Sequence, residues 1–219
     1  MISECSGLVL RRTQALKGRS MLLLLTDHYG KISAGTSISE RGKSGSALAV
    51  RRFTLGRYQI TESRGNKNIS SAETVKNYYA LSEDYEKFLA ASMVLEFTEK
   101  ILPEDIPVPD LYQLVIDYLT LLLVRSEDFD TLTASWLMKA LQNLGVLPDA
   151  ENFQHDELLS SLDFVTMNAI AYILDNPLNA MRNLTLPTEK SMRFLRLILR
   201  YAAVQFDIGT LKSDLPKEV

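Results

Sequence analysis

The chain has 219 residues, of which 46% are hydrophobic and 23% charged, and its formal net charge is −3. This length is sufficient for one large domain or two ordinary ones, and the composition is typical of a globular protein rather than a disordered one. One cysteine, Cys5, excludes an internal disulfide framework, and with only two histidines besides it, a four-ligand zinc site of cysteine and histidine is excluded too. The apolar run 111–124 is too short and too often interrupted to span a bilayer, so we expect a cytoplasmic protein.

The charges are divided between two parts of the chain. Residues 1–80 contain 13 of the 24 basic and 5 of the 27 acidic residues, a net charge of +8. Residues 81–219 contain the other 11 basic and 22 acidic residues, a net charge of −11. Such an asymmetry indicates that the basic part contacts a nucleic acid or a membrane.

The first 75 residues have the pattern of short β-strands. Residues 32–38 alternate between apolar and polar side chains, and Gly30 can adopt a positive φ in the hairpin turn before them. Residues 39–46 are predicted to form a flexible loop. The predicted strands are 6–13, 21–26, 32–38, 49–61 and 68–75. Five short strands in this length indicate a small closed barrel such as an OB-fold.

From residue 77 the apolar pattern has the period of a helix. Ser82, Asp110 and Thr188 are the predicted N-caps, and Gly145 and the prolines after residue 102 are predicted helix ends. The predicted helices are 83–102, 111–125, 132–144, 158–175, 177–183 and 189–206. We therefore predict an α+β protein of two domains, an OB-fold β-barrel of residues 1–76 followed by an all-α helical domain of residues 77–219.

Basic residues in the barrel are interleaved with aromatic ones, Tyr29, Phe53 and Tyr58. Proteins that bind single strands combine cations along the phosphates with rings on which bases stack. Phe53 and Tyr58 are equally consistent with positions in the hydrophobic core. The predicted DNA-binding residues are Arg11, Arg12, Lys17, Arg19, Lys31, Arg41, Lys43, Arg51, Arg52 and Arg57.

Residues suited to catalysis are few. His28 in a turn and His155 in an acidic segment are predicted to be surface residues rather than general bases. The Gly-Lys-Ser triplet at 42–44 lacks the first glycine of a phosphate-binding P-loop. We therefore predict a protein that is not an enzyme, with no catalytic residue, cofactor or metal.

Several segments together resemble the bacterial DNA repair protein RecO family. The resemblance begins with the strand–turn–strand Leu24-Leu25-Thr26-Asp27-His28-Tyr29-Gly30-Lys31-Ile32 and the preceding Gly7-Leu8-Val9-Leu10-Arg11. It continues in order and spacing through nearly the whole chain, with Phe53-Thr54-Leu55, Ala90-Ala91-Ser92, Leu95-Glu96, Leu144-Gly145-Val146-Leu147-Pro148, Asn176-Pro177-Leu178 and Gly209-Thr210-Leu211-Lys212-Ser213.

The resemblance implies an N-terminal OB-fold and a helical domain in a non-enzymatic, nucleoid-associated protein. It implies binding to single- and double-stranded DNA, annealing of complementary strands and, with RecR, loading of RecA onto single strands coated by single-stranded DNA-binding protein (SSB). Two departures stand out. Residues 149–157 lack the cysteines of the zinc site that many members carry, and Lys17-Gly18-Arg19 makes its loop more basic than is usual in the family.

The resemblance also implies a docking site for the acidic C-terminal tail of SSB in the helical domain. Because that domain is acidic, the site requires a local basic pocket. Arg193, Arg196 and Arg200 lie on one face of the last predicted helix and are the candidates, with Arg182 and Leu197 bordering them. An OB-fold RNA-binding protein, and an adaptor whose basic half docks an acidic partner protein, remain alternatives.

Overall fold

The computed structural model describes residues 2–15, 18–147, 159–209 and Leu211. It has two compact units, one of Met1–Glu83 with Leu102–Gln113 and one of Asp84–Ile101 with Leu114–Val219. The domain boundary after residue 76 stays a prediction. Across the described part of the chain, no helix has the length and apolar character needed to cross a membrane.

The first unit is a closed five-stranded barrel. Its strands are β1 (Ile2–Gln14), β2 (Ser20–Thr26), β3 (Gly30–Thr36), β4 (Thr54–Ser63) and β5 (Asn66–Asn77), and their order around the barrel is β1-β2-β3-β5-β4. β3 and β5 are parallel and are in register at Gly35 and Asn68, whereas the other neighbours are antiparallel. This is the OB-fold topology, and with the helices that follow it the predicted fold class is confirmed.

The predicted strand 49–61 is wrong in its first part. A short helix, α1 (Gly45–Ala49), precedes β4, and the side chain of Ser44 accepts a hydrogen bond from the amide of Ala47 at 3.2 Å as its N-cap. Ala49 and the following Val50 are fully buried. The sequence 47–50 is apolar because it packs into the barrel, and an apolar run this short does not distinguish a strand from a buried helix.

The barrel core consists of side chains that point inward from the strands. Val9, Leu22, Leu24 and Ile32 pack there with Tyr58, whose hydroxyl donates a hydrogen bond to the carbonyl oxygen of Ala49 at 2.6 Å. Because Ala49 and Val50 belong to the same core cluster, α1 closes one end of the barrel.

The segment 102–113 packs on the barrel as part of the first unit. The amide of Asp105 donates to the carbonyl oxygen of Lys31 at 2.9 Å, and the carboxylate of Asp105 pairs with Lys67 at 2.6 Å. Lys31 belongs to β3 and Lys67 to β5, the two strands whose pairing is limited to one register position. The segment therefore binds to both strands where the barrel is least complete.

The helices are α2 (Tyr85–Ile101), α3 (Pro109–Val124), α4 (Phe129–Asn143), α5 (Phe164–Asp175) and α6 (Thr188–Phe206), with 3₁₀ turns at Tyr79–Glu83, Leu159–Ser161 and Leu178–Asn183. The three predicted N-caps are wrong. Asp110 lies within the first turn of α3, which begins at Pro109. Asp84, rather than Ser82, accepts hydrogen bonds from the first amides of α2. Thr188 is the first residue of α6, and Pro187 precedes it without a side-chain cap.

The core of the helical unit is built around Trp136, which is fully buried on α4. The rings of Phe97 and Tyr118 contact it, with centroids 5.9 and 6.0 Å from its own. The contact with Phe97 is edge-to-face, with an angle of 88° between the rings, and such contacts add to the free energy gained from burial alone.

Candidate nucleic-acid interface and partner groove

The loop between β3 and α1 presents two exposed cations of the barrel. We call residues 38–45 the cationic loop; Arg41 and Lys43 are exposed on either side of Gly42, which has a φ of 111°. Within the described part of the chain, neither side chain forms an ion pair. Both are therefore available to the phosphates of a polyanion.

Arg12, another predicted DNA-binding residue, is largely enclosed. Its guanidinium donates to the carbonyl oxygens of Val50 at 3.2 Å and Ile38 at 3.3 Å, and to the hydroxyl of Ser20 at 2.8 Å. Its Nε lies 3.5 Å from a carboxylate oxygen of Glu40, and 13% of the side chain is exposed. Arg12 thus joins the end of β1 to the cationic loop.

Arg51 also contacts the cationic loop through main-chain oxygens. Its Nε and one terminal nitrogen donate to the carbonyl oxygen of Glu40 at 3.1 and 2.7 Å. The same terminal nitrogen donates to the carbonyl oxygen of Gly42 at 2.7 Å. These two carbonyl groups flank Arg41 in the chain.

Arg11 and Arg52 lie beside this loop region. Arg11 is exposed, and its guanidinium donates to the hydroxyl of Thr13 at 3.3 Å. Arg52 donates to the carbonyl oxygen of Leu10 at 3.2 Å and stacks over the ring of Phe53 at 4.9 Å. The end of β1, the cationic loop and residues 51–52 therefore form one cationic end of the barrel.

A second group of cations lies along the edges of β3 and β5. Arg19 donates to the side-chain oxygen of Asn68 at 2.6 Å, next to the contact between those strands. Lys31 is half-buried. Sequence reasoning passed over the exposed Arg64 in the β4–β5 turn and Lys67, which pairs with Asp105. Lys17 lies outside the described residues.

Arg57 differs from the other predicted cations because carboxylates surround it. Its Nε lies 3.3 Å from Glu4, and it is directly opposite Glu73 in the pairing of β4 with β5. These acidic neighbours reduce the local positive charge. Arg57 is therefore the weakest candidate of the set for phosphate contact.

Two of the three aromatic residues suggested for base stacking belong to the barrel core. Phe53 is 4% exposed and Tyr58 is fully buried. Tyr29, in the hairpin turn between β2 and β3, is 38% exposed. A ring that packs in the core has no face open to a base, so the cationic end of the barrel is suited to phosphate contact rather than stacking.

His28 is exposed as predicted, but it has a carboxylate partner that sequence reasoning did not anticipate. Its Nδ1 lies 2.8 Å from Asp27, which also accepts a hydrogen bond from the amide of Ser6. Among the described residues, no three histidine, cysteine or acidic side chains are grouped as a metal site. His155 and the segment 149–157, which lacks the family's zinc cysteines, lie outside the described residues.

The helical unit contains an apolar groove of about 420 Å³ between the end of α2 and the C-terminal half of α6. Phe97, Leu199, Ala203, Ile208 and Leu211 line it, and the exposed Arg196 and Arg200 stand at its rim. Two of the predicted partner-binding arginines are thus brought together beside an apolar surface. Phe97 could not be predicted as part of this site, because it lies about a hundred residues away from these arginines in the chain.

The other predicted partner-binding residues lie outside the lining of this groove. Arg193 donates to the carbonyl oxygen of Ser161 at 2.7 Å, and Leu197 is half-buried. Arg182 is exposed in the 3₁₀ turn Leu178–Asn183. Of the five predicted partner-binding residues, Arg196 and Arg200 are therefore the two that line the groove.

Known proteins resemble this chain over most of its length. A family model described as Recombination protein O C terminal matches residues 82–215. Proteins named DNA repair protein RecO are similar to it: one from Exiguobacterium sibiricum is 29% identical over 68% of this chain and 59% of the relative. One from Listeria monocytogenes is 28% identical over 67% of this chain and 57% of the relative. One from Pelotomaculum thermopropionicum is 29% identical over 69% of this chain and 59% of the relative.

These matches span 57 to 59% of the length of the curated relatives. The family model, in contrast, covers more than half of this chain, including every helix from α2 to α6. The barrel topology agrees with the OB-fold that the resemblance implied. The chain belongs to the RecO family.

Proposed function

We propose that this protein is a non-enzymatic DNA repair mediator of the nucleoid that binds DNA through the cationic end of its barrel. The observation that carries the proposal is the exposed pair Arg41 and Lys43 on a loop fixed to the barrel, in a chain of the RecO family. Arg11 and Arg52 extend the same cationic surface. Cations that replace condensed counterions bind any sequence, so this surface suits single and double strands alike.

Annealing follows from the same electrostatics. Two complementary strands repel each other through their phosphates, and a surface that neutralises some of those phosphates lets them approach. This requires no bond to be made or broken. Burial of Phe53 and Tyr58 supports contact with the backbone, which leaves the bases of a bound strand free to pair.

The groove of the helical unit supports a second part of the proposal, docking of the acidic tail of SSB. Arg196 and Arg200 would pair with the carboxylates of the tail, while Phe97 and Leu199 would contact its apolar side chains. Docking there would bring the protein to coated single strands, where it would act with RecR to load RecA. The acidic charge of this half of the chain would discourage DNA from binding outside the barrel.

The experiment that tests the proposal is strand annealing with SSB-coated complementary oligonucleotides. We expect the full chain to accelerate annealing, and the charge-reversed variant Arg41→Glu/Lys43→Glu to lose most of that acceleration. The control is the single charge reversal Arg57→Glu, which should have a smaller effect because Glu4 and Glu73 already offset this cation. Annealing by the double variant at the rate of the parent chain would contradict the proposal.

The salt dependence of DNA binding by the same variants gives the number of phosphate contacts that each variant loses. The logarithm of the binding constant falls with the logarithm of salt concentration by about 0.9 for each phosphate contact on a duplex. Loss of two contacts should therefore reduce this slope by roughly two. Competition with RNA of equal length separates the repair mediator from an OB-fold RNA-binding protein, which would prefer the RNA.

A further inference from the structure

The cationic loop is fastened through its main chain rather than through its basic side chains. Arg12 binds the carbonyl oxygen of Ile38, and Arg51 binds those of Glu40 and Gly42. At the far end of the loop, the hydroxyl of Thr74 donates to the carbonyl oxygen of Gly45 at 2.7 Å. Four carbonyl groups of one exposed loop are thus bound by side chains from β1, β5 and the turn before β4.

The positions of these bonds alternate with the exposed cations. Arg41 lies between the two carbonyl groups that Arg51 binds, and Lys43 lies between Gly42 and Gly45. The amide of Arg41 also donates to the hydroxyl of Ser39 at 3.1 Å. The backbone on both sides of each exposed cation is therefore held in place.

We propose that Arg12 and Arg51 are positioning residues that order the cationic loop through its carbonyl oxygens, and that Arg41 and Lys43 contact the DNA phosphates. This inference rests on the proposed function and divides the predicted DNA-binding set into two roles. An ordered loop loses less conformational entropy when it binds, so the two positioning arginines increase affinity without adding a phosphate contact.

The planar guanidinium is suited to this task. Arg51 directs two nitrogens at the carbonyl of Glu40 and one of them also at Gly42, a fork that a lysine ammonium cannot reproduce even though it carries the same charge. The variant Arg51→Lys therefore removes the geometry and keeps the charge. Arg51 is a better test position than Arg12, whose side chain is more enclosed and contributes to the folded barrel.

The experiment measures binding of a fluorescein-labelled duplex by the full chain at several salt concentrations. For Arg51→Lys we expect roughly a three- to tenfold loss of affinity, the size expected for one or two net hydrogen bonds, with the salt slope unchanged. Hydrogen exchange of the amides of the cationic loop, measured without DNA, should become faster. Circular dichroism checks that the variant remains folded.

The same substitution in the background Arg41→Gln/Lys43→Gln completes a double-mutant cycle. If Arg51 acts through the loop cations, Arg51→Lys has no further effect once they are removed. An undiminished effect in that background, or a parent-like affinity of Arg51→Lys, would overturn the inference. A direct phosphate contact by Arg51 would instead appear in Arg51→Gln as a salt slope reduced by about one.

Failure of this inference is distinguishable from failure of the proposed function. A parent chain that does not bind the duplex overturns the proposed function and with it the role of both arginines in DNA binding. A parent chain that binds DNA no better than Arg51→Lys overturns the positioning role alone. In either case, faster hydrogen exchange of the loop amides in Arg51→Lys would support the ordering of the loop by Arg51, and unchanged exchange would contradict it.

Discussion

The guanidinium of Arg125 donates a hydrogen bond to the carbonyl oxygen of Leu184 at 2.6 Å, although 59 residues separate the two in the chain. Arg125 also donates to the carbonyl oxygens of Met181 and Arg182 at 3.1 and 3.2 Å. Its side chain is 4% exposed and lies 3.7 Å from Asp128, and burial lowers the pKa of Arg125. One buried cation therefore joins the end of α3 to the segment before α6.

The substitution Arg125→Met should destabilise the helical unit by about 3 kcal/mol or more, because it leaves several buried carbonyl groups without a donor. Urea unfolding monitored by fluorescence of Trp136, the chain's single tryptophan, reports on this unit. The exposed Arg200→Met is the matched control and should stay within about 0.5 kcal/mol of the parent. Equal stabilities for the two variants would contradict a structural role for Arg125.

Gly30 and Gly18 allow strain and steric overlap to be measured separately in the barrel unit. Both have a positive φ, 67° and 73°, but a Cβ at Gly30 would overlap the carbonyl oxygen of Ile106, whereas at Gly18 the described residues beyond its chain neighbours place no heavy atom within 4 Å. We expect Gly18→Ala to cost about 1 kcal/mol from backbone strain. Gly30→Ala should cost at least about 2 kcal/mol more, measured by denaturant unfolding with far-ultraviolet circular dichroism. Similar losses would show that the segment at Ile106 moves away freely.

Asp163 should give the helical unit a specific dependence on pH. The carboxylate of Asp163 accepts a hydrogen bond from Lys190 at 2.7 Å and another from the hydroxyl of Thr166 at 2.8 Å. These hydrogen bonds, of which the one from Lys190 has the larger effect, hold the pKa of Asp163 well below its usual range. A carboxyl group whose pKa is lower in the folded chain stabilises the fold above its unfolded pKa of about 4, and this contribution is lost as the pH falls further.

The variant Asp163→Asn should therefore be less stable than the parent by a constant amount from about pH 7 to about pH 5, and the deficit should shrink below about pH 4. Urea unfolding across this range, followed by Trp136 fluorescence, measures it. Lys190→Met is the control, because without the ammonium group most of the effect of Asp163→Asn should disappear. A deficit that grows towards acid pH would refute the assignment.

The positions of most strands and the change to helices could be predicted because their signals are local. The alternation in 32–38 and the helical period after residue 77 follow from which side chains face a core. The structure has a strand there, β3 at Gly30–Thr36, which ends two residues before the predicted end, and α-helices from Tyr85 onward. The helix α1 was missed because a short apolar run is ambiguous until the barrel that buries it is known. The segment around Asp105 was likewise not anticipated as part of the barrel unit.

The candidate site was predicted less well than the fold, for a related reason. Composition identifies which residues are basic, but not which guanidinium groups are occupied by main-chain oxygens. Arg12 binds Val50 across 38 residues and Arg51 binds Glu40 across 11, contacts that no spacing in the sequence indicates. Arg41 and Lys43 remain exposed because they occupy the tip of a loop, which is the part that local pattern describes well.

Two arginines of α6, Arg193 and Arg196, are expected to differ in their effect on binding of a partner at the groove of the helical unit. Arg196 lies at the rim of the groove, whereas Arg193 lies outside its lining and binds the carbonyl oxygen of Ser161. The docking proposed above combines an apolar surface with nearby cations, and of these two arginines Arg196 is the one placed beside such a surface. Reversal of charge at Arg196 would set a carboxylate against the carboxylates of the peptide.

We therefore expect Arg196→Glu to weaken binding of a fluorescent SSB tail peptide by at least about tenfold, as for one charge pair turned repulsive. Arg193→Glu carries the same change in net charge and should alter the affinity by no more than about threefold, as expected for a charge outside the contact. Fluorescence anisotropy of the labelled peptide with the full chain gives both values. Equal weakening by the two variants would indicate attraction by the general charge of α6, and binding by Arg196→Glu as tight as by the parent would exclude the groove as the docking site.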